Sequence, residues 1–433
     1  MNTRKIVSII LFIALLAGLA ACGNSNNTNT GGSNSESPGA SPSSGGELQK
    51  AELNVFIQIP RFRTQFETLV NAFVEQQKQE KNREVKVNLE MPEEFTGNDV
   101  LRTRFATDSA PDVFKLHATE DAPQYAAAGY LEDLSGQPFV ANLKEEIRNA
   151  VTQNGKIVAL PIETPIWGYL YNKKIFAENG LTPPKTLTEM KEVIAKLEEK
   201  KITPFVLSYK TPYMTRVPVQ SVQATYQFNH PEFVEKMNKG EGSYADIQTD
   251  MFNVLDLVNA HGTDNALELD ADGGAAAFAA GKGAMWIQGV WYAEALQKLD
   301  PSFEFSVAPL PIDDNADRTS VLLSTSTSLA VSSKSPNKEI ALDFINFIVN
   351  NEKASNELYS SLKVNPISNL HTFGVEPWVE ESMTYNKVPE AYTPVGVLDK
   401  AGQMLQMYYA GQATQEEVVK ELDKAWDLFN QTQ

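Results

Sequence analysis

Catalysis and metal binding demand particular residue types at particular spacings, and few of those spacings occur in this 433-residue chain. Its four histidines, His117, His230, His261 and His371, lie far apart with no His-x-x-x-His pair, so a His-rich metal site is not expected. The single cysteine excludes a disulfide scaffold and a Cys-built zinc site. There is no Gly-x-Ser-x-Gly elbow, no P-loop, no His-Glu-x-x-His and no Gly-x-Gly-x-x-Gly opening a helix. Asp270-Ala271-Asp272-Gly273 and Asp313-Asp314-Asn315 lack the spacing and the twelfth-position Glu of a calcium loop and read as solvated turns. A glycosidase would need two cleft carboxylates about 5–10 Å apart, and among 55 acidic residues no pair stands out. Neither a cofactor nor a metal is implied.

Groups suited to recognition are easier to find. Gln58 and Arg61 follow the first strand pattern, and His117, Thr119 and Glu120 follow the strand ending at Leu116. In open α/β sheets, ligands bind outside the carboxyl ends of the strands. Were Arg61, Arg63, His117, Lys210 and Arg216 to converge, an anionic ligand would be favoured, since Arg holds carboxylates bidentately. The chain as a whole is acidic, with 37 Lys and Arg against 55 Asp and Glu and a net charge of −18. That balance argues against nucleic acid, which needs a basic footprint.

The elements that must position these groups alternate. Leu53, Val55 and Ile57 have period two, as do Val85, Val87 and Leu89, and between them Phe62, Phe66, Leu69, Val70, Phe73 and Val74 form a helical face. Pro111 to Leu116 reads as a buried strand. The rhythm predicts a mostly parallel sheet covered by helices, an α/β fold. Thr64 with Glu67, Thr186 with Glu189 and Thr414 with Glu417 have capping-box spacing, and Ser335-Pro336 opens a helix bearing Ile340, Phe344, Ile345 and Ile348. The length predicts two domains.

The N-terminus reads as a targeting segment. Arg4 and Lys5 precede an apolar run from Ile6 to Ala21 that is short for a membrane span. It ends Leu19-Ala20-Ala21-Cys22, the pattern of a bacterial lipoprotein signal in which Cys22 is lipidated and becomes the new N-terminus. Residues 23–46 are almost entirely Gly, Ser, Asn, Thr and Pro, a composition that predicts a disordered tether. Such a tether reaches roughly 25–30 Å and suits a Gram-positive surface.

Several motifs in order carry a family resemblance: Ala110-Pro111-Asp112-Val113-Phe114, Gly155-Lys156-Ile157-Val158-Ala159-Leu160-Pro161, Leu170-Tyr171-Asn172-Lys173-Lys174, Phe278-Ala279-Ala280-Gly281-Lys282-Gly283-Ala284-Met285-Trp286 through Trp291, and Ala341-Leu342-Asp343-Phe344. The set resembles the family 1 extracellular solute-binding proteins of ABC importers, which include the maltodextrin-binding proteins. The resemblance implies a two-lobed periplasmic-binding-protein-like fold of class II, with ligand in a cleft between lobes joined by hinge crossovers. Lobe 1 would comprise residues 47–163 and about 315–375, and lobe 2 residues 164–314 and about 376–433. The chain would return from the second lobe near Leu310 to Ser320 and cross again between Ser368 and Pro394.

The resemblance also implies a function and a site. The expected protein is a lipid-anchored, monomeric receptor on the outer face of the cell membrane. It would capture a carbohydrate, expected to be an oligosaccharide, and deliver it unaltered to permease and ATPase subunits. Sugars suit aromatic platforms flanked by polar groups. The expected contacts are Trp291, which closes the Gly289-Val290-Trp291 motif, Trp167 and Glu163 at the first crossover, His117 and Glu120, Gln58 and Arg61, Tyr209 and Tyr213 from the second lobe, and Tyr392. Pro165 stands where maltodextrin-binding relatives carry a carboxylate. The alternatives are a lipoprotein glycosidase or lyase, and a binder of a peptide, polyamine or anion.

Overall fold

The computed structural model describes residues 48–353, 356, 358, 381, 382 and 384–432, so the leader, Cys22 and the polar tether lie outside the described residues. Alternating apolar residues build the first sheet. Its strand order is Arg83–Glu90, Gln49–Phe56, Val113–Leu116, Thr327–Val331, Leu160–Glu163. The first three are parallel, and Thr327–Val331 alone runs counter to its neighbours. The Arg63–Lys81 helix buries Phe66, Leu69 and Phe73 on the sheet, and Phe73 meets Phe344 and Phe347 edge-on at 5.1 and 5.5 Å. This helix has no side-chain cap. A 3-10 turn at Pro60–Phe62 runs directly into it, so Thr64 lies inside the first turn and cannot serve as the N-cap expected of it. Asp112 ties the layers together: its carboxylate accepts from the backbone N–H of Asn54 at 2.8 Å and from Ser335 Oγ at 2.5 Å.

The second core is built differently. Tyr169–Asn172 lies antiparallel between Phe305–Ala308 and Met285–Trp286, in strands of only two to four residues. The parallel grammar of the first sheet therefore does not recur. Here the mass lies in helices, chiefly Leu187–Glu199, Pro212–Asn229, Gln248–Ala260, Val395–Tyr409 and Gln415–Gln431. Buried Trp426 joins them, packed against Tyr244 and Phe233 and donating Nε1–H to Asn238 at 2.9 Å. Thr414 and Glu417 form the reciprocal capping box. Thr186 caps its helix through the Glu189 N–H, while the Glu189 carboxylate accepts from the Lys185 backbone instead. Asp313-Asp314-Asn315 serves the same helix end, with Asp314 accepting from Thr188.

Between the cores lies a three-stranded sheet of Lys387–Pro389, Val321–Leu323 and Ile166–Trp167. Ile162 packs in the first core and Ile166 in a smaller cluster beside the second, with Leu170, Trp286 and Phe305; Leu322 packs in the second and Leu329 in the first. The chain thus changes core at Thr164-Pro165 and again at Ser324 to Ser326, later than the residue 315 expected, because Leu322 and Leu323 pair with Trp167 and Ile166. A third change falls after Leu358 and before Tyr385, largely outside the described residues. No helix among the described residues is long and apolar enough to cross a membrane.

Gly168 separates two strands where a Cβ would lie 2.3 Å from the Ala308 carbonyl oxygen. Gly168→Ala is expected to destabilise the fold by about 1–3 kcal/mol, read as a lowered urea midpoint. Thr414→Ala removes the cap of the Gln415–Gln431 helix and should cost about 1 kcal/mol by the same measurement.

Candidate functional site

A cavity of about 490 Å³ opens between the two cores. The first core contributes polar side chains, among them Gln58, Arg61, Asn98, Lys115, His117, Glu120 and Asp121. The second contributes all four aromatic rings of the lining, Trp167, Tyr213, Trp291 and Tyr292, together with Arg216 and Gln220. Ser324, Ser326, Thr327 and Glu390, at the junction, complete it.

Local sequence explains this placement. Tyr213, Arg216, Val217 and Gln220 are spaced i, i+3, i+4 and i+7 on the Pro212–Asn229 helix, so they share one face. Pro212 stands in its first turn, where a missing N–H costs nothing. Trp167 and Trp291 lie 6.1 Å apart with planes inclined at 58°. Gly289 makes this possible: a Cβ there would sit 2.2 Å from Trp291 and 2.6 Å from Trp167. Each indole is also held by its N–H, Trp291 to Gln288 Oε1 at 3.0 Å and Trp167 to Glu390 Oε1 at 2.9 Å.

Glu390 is the electrostatic centre. Its second oxygen accepts from Ser324 Oγ at 2.8 Å and faces His117 Nε2 at 3.3 Å. His117 Nδ1 accepts the Glu120 N–H, so in the neutral imidazole the proton is on Nε2, pointing at Glu390. Burial pushes the Glu390 carboxyl above its ordinary pKa, against the pull of His117. Burial likewise raises Asp121, outweighing Lys115 and the His117 backbone N–H. Burial also acts to raise Glu120, but His117, Arg216, Lys115 and the Gln220 amide together bring it below the ordinary value. Two of the cavity's cations are engaged: Arg61 pairs with Glu163 at 2.7 Å, and Arg216 reaches Asp399 at 3.5 Å and lies over the Tyr213 ring. Gln220 of the second core donates to Glu120 of the first at 3.2 Å.

Of the residues expected from sequence, Trp291, Trp167, His117, Glu120, Gln58, Arg61 and Tyr213 meet at this cavity. Glu163 stands behind Arg61 and also accepts from Thr327 at 3.0 Å. Tyr209 is elsewhere. It is 4% exposed and stacks on Tyr409 at 4.4 Å, because its backbone is bonded to Ala266 and Gln406 inside the second core. Tyr392 is outside the cavity, edge-on to Trp426 at 6.4 Å. The basic cluster forms only in part: Arg63 turns to the Met91 carbonyl, and Lys210 is exposed outside the lining. Asp270 caps the helix Ala271–Ala279, which brings Asp272 to the cavity rim. Lys115, Gln220, Tyr292 and Glu390 were not expected. The signal for Lys115 was a lone charge within an apolar strand, and for Gln220 the helical spacing from Tyr213.

Comparison with known proteins bears on this architecture. The sequence pattern of the bacterial extracellular solute-binding proteins matches residues 63–355. The chain is 26% identical over 240 residues to the multiple sugar-binding protein of Streptococcus mutans serotype c, covering 52% of this chain and 56% of that protein. It is 24% identical over 280 residues to the melibiose/raffinose/stachyose-binding protein MelE of Bacillus subtilis, covering 59% and 61%. The chain thus spans little more than half the length of these curated relatives. Its fold is similar to that of apo RafE from Streptococcus pneumoniae, with a TM-score of 0.71 at 17% identity over 89% of this chain and 99% of that one. Two α/β cores around an interlobe cavity, with the family pattern running through both, place the chain in the bacterial extracellular solute-binding protein family.

Proposed function

We propose that this chain is an extracellular receptor that captures an uncharged saccharide between its lobes and delivers it, unaltered, to an ABC-type permease with its ATPase. One observation carries the reading: the cavity sets a wall of aromatic rings opposite a wall of hydrogen-bonding side chains. A sugar has the same two characters, a nonpolar CH face for the rings and hydroxyls for the polar groups. The relatives named for sugar binding support it. The engaged cations favour a neutral ligand over an oligouronide, since Arg61 is already paired with Glu163.

In this reading Trp291 and Tyr213 stack on the ligand, while Gln58, His117 and Glu120 bond its hydroxyls. Glu163 and Trp167 act as supports, through Arg61 and Glu390 respectively. Thr164-Pro165 and Ser324 to Ser326 serve as hinge strands, and ligand touching both lobes shifts the population toward the closed form. Cys22 carries the lipid anchor, the polar tether lets a monomeric receptor swing at the membrane, and transport energy comes from the separate ATPase.

A glycosidase is the second reading that an observation favours, because the Glu120 and Glu390 carboxyls are pushed in opposite directions within one cavity. Against it, both oxygens of Glu390 already accept protein donors.

Thermal-shift measurement with neutral and acidic saccharides tests the receptor. A neutral sugar at 100 times its Kd should add about 2.7 kcal/mol to the native state; stabilisation by a uronate or a peptide alone would overturn the assignment. Trp291→Ala should weaken binding by at least about 2 kcal/mol, roughly thirtyfold, with an unchanged circular dichroism spectrum. Prolonged incubation should return the bound sugar intact by chromatography, and shorter products would establish the glycosidase instead.

A further inference from the structure

Gln288 lies between two elements that carry rings to the cavity. It precedes the 3-10 turn Val290–Tyr292 that bears Trp291, and its side chain reaches Met214, the neighbour of Tyr213 in the first turn of the Pro212–Asn229 helix. Gln288 is fully buried and is not part of the cavity lining. Its carboxamide joins the two elements: Oε1 accepts the Trp291 indole N–H at 3.0 Å, and Nε2 donates to Met214 Sδ at 3.3 Å. An indole N–H can only donate, so it fixes Oε1 on its own side and turns Nε2 toward the sulfur.

Fold stability alone does not call for a carboxamide at this position. A thioether is a weak acceptor, and Met214 belongs to an apolar cluster with Ile166, Trp286 and Val290. A buried amide is costly when its partners are weak, and a leucine or methionine of similar size would carry no such cost. What the carboxamide adds is direction. It is planar, so its contact with the sulfur sets the angle at which Oε1 meets the indole, and the indole cannot turn without losing that bond. Met214 is itself fixed, its backbone N–H bonded to the Thr211 carbonyl at 2.9 Å. The link from Trp291 through Gln288 to Met214 therefore ties one ring of the cavity wall to the helix that bears another, Tyr213.

We infer that Gln288 is a positioning residue, one that sets saccharide selectivity without touching the ligand by fixing the spacing and tilt of Trp291 relative to Tyr213. The inference rests on the receptor reading above and deepens it, since it assigns the choice among neutral sugars to a buried side chain behind the wall.

Titration calorimetry with raffinose, maltotriose, cellotriose and xylotriose, neutral sugars of different contour, tests it on wild type, Gln288→Leu, Trp291→Phe and the double variant. Wild type should prefer its best sugar by about tenfold over the next. Gln288→Leu should weaken that sugar about tenfold, the worth of one hydrogen bond, and leave the poorer ones within about twofold. Trp291→Phe keeps a ring without the N–H, so adding Gln288→Leu to it should cost nothing more, whereas a merely structural effect would persist. Without sugar, Gln288→Leu should lose the near-ultraviolet circular dichroism that Trp291→Phe also removes, while the far-ultraviolet spectrum stays unchanged. Met214→Leu keeps the volume and removes the sulfur; it should shift selectivity the same way, and it decides the matter if Gln288→Leu proves unstable. Equal affinity of wild type for all four sugars, unchanged selectivity in the folded variants, or losses that add in full in the double variant overturn the positioning role and leave the receptor standing. No binding of any of the four by wild type overturns the receptor reading for these sugars and the selectivity role with it.

Discussion

The carboxylate of Glu390 is the point on which the arrangement turns. It follows the last strand of the small junction sheet, while Trp167 ends another strand and Ser324 follows the third. One buried group thus ties its own strand to the other two, through Trp167 and Ser324, and it faces His117 from the first lobe. A buried charge is costly unless its hydrogen-bonding capacity is filled. The strands, the serine and the indole therefore have to stay in register for the carboxylate to be tolerated, and the cavity floor follows from that register.

From this floor the two walls rise with different chemistry. The first lobe is built on a mostly parallel sheet whose strand ends present short polar segments, and its packing leaves Lys115 only 2% exposed beside Glu120 and Asp121. The second lobe is a helical assembly with short antiparallel strands, and it brings large rings to the same opening. The lining sets Arg61, Lys115 and Arg216 against Glu93, Glu120, Asp121, Asp272 and Glu390, so the cavity has strong local dipoles and little appetite for an anion. In the proposed receptor, such a surface distinguishes ligands by hydroxyl geometry more than by charge.

Much of this was legible in the residues. Period-two patterns located the strands of the first sheet because one face of each is buried, and the capping spacing at Thr414 and Glu417 located a helix start because both side chains bond backbone locally. The Gly289-Val290-Trp291 run pointed to the cavity through its resemblance to a family. What could not be read was non-local. Tyr209 and Tyr213 are four apart, yet one is drawn into the core by backbone bonds to Ala266 and the other faces the cavity. Glu390 acquires its role only through pairing of strands that are far apart in sequence. The antiparallel second lobe was missed because strands of two to four residues leave little periodicity to detect, and none that gives strand direction.

The wedge at Gly289 has a further meaning. Because nothing but a hydrogen separates that backbone from the two indoles, and because each indole N–H is already tied down, neither ring retains much rotational freedom. The ordering cost of such side chains, about 0.5–1.5 kcal/mol each when a complex immobilises them, has been met once, during folding. A guest arriving at this wall finds a finished mould. The same stiffness makes the mould unforgiving, since a differently contoured guest cannot coax one tryptophan aside without pushing the other.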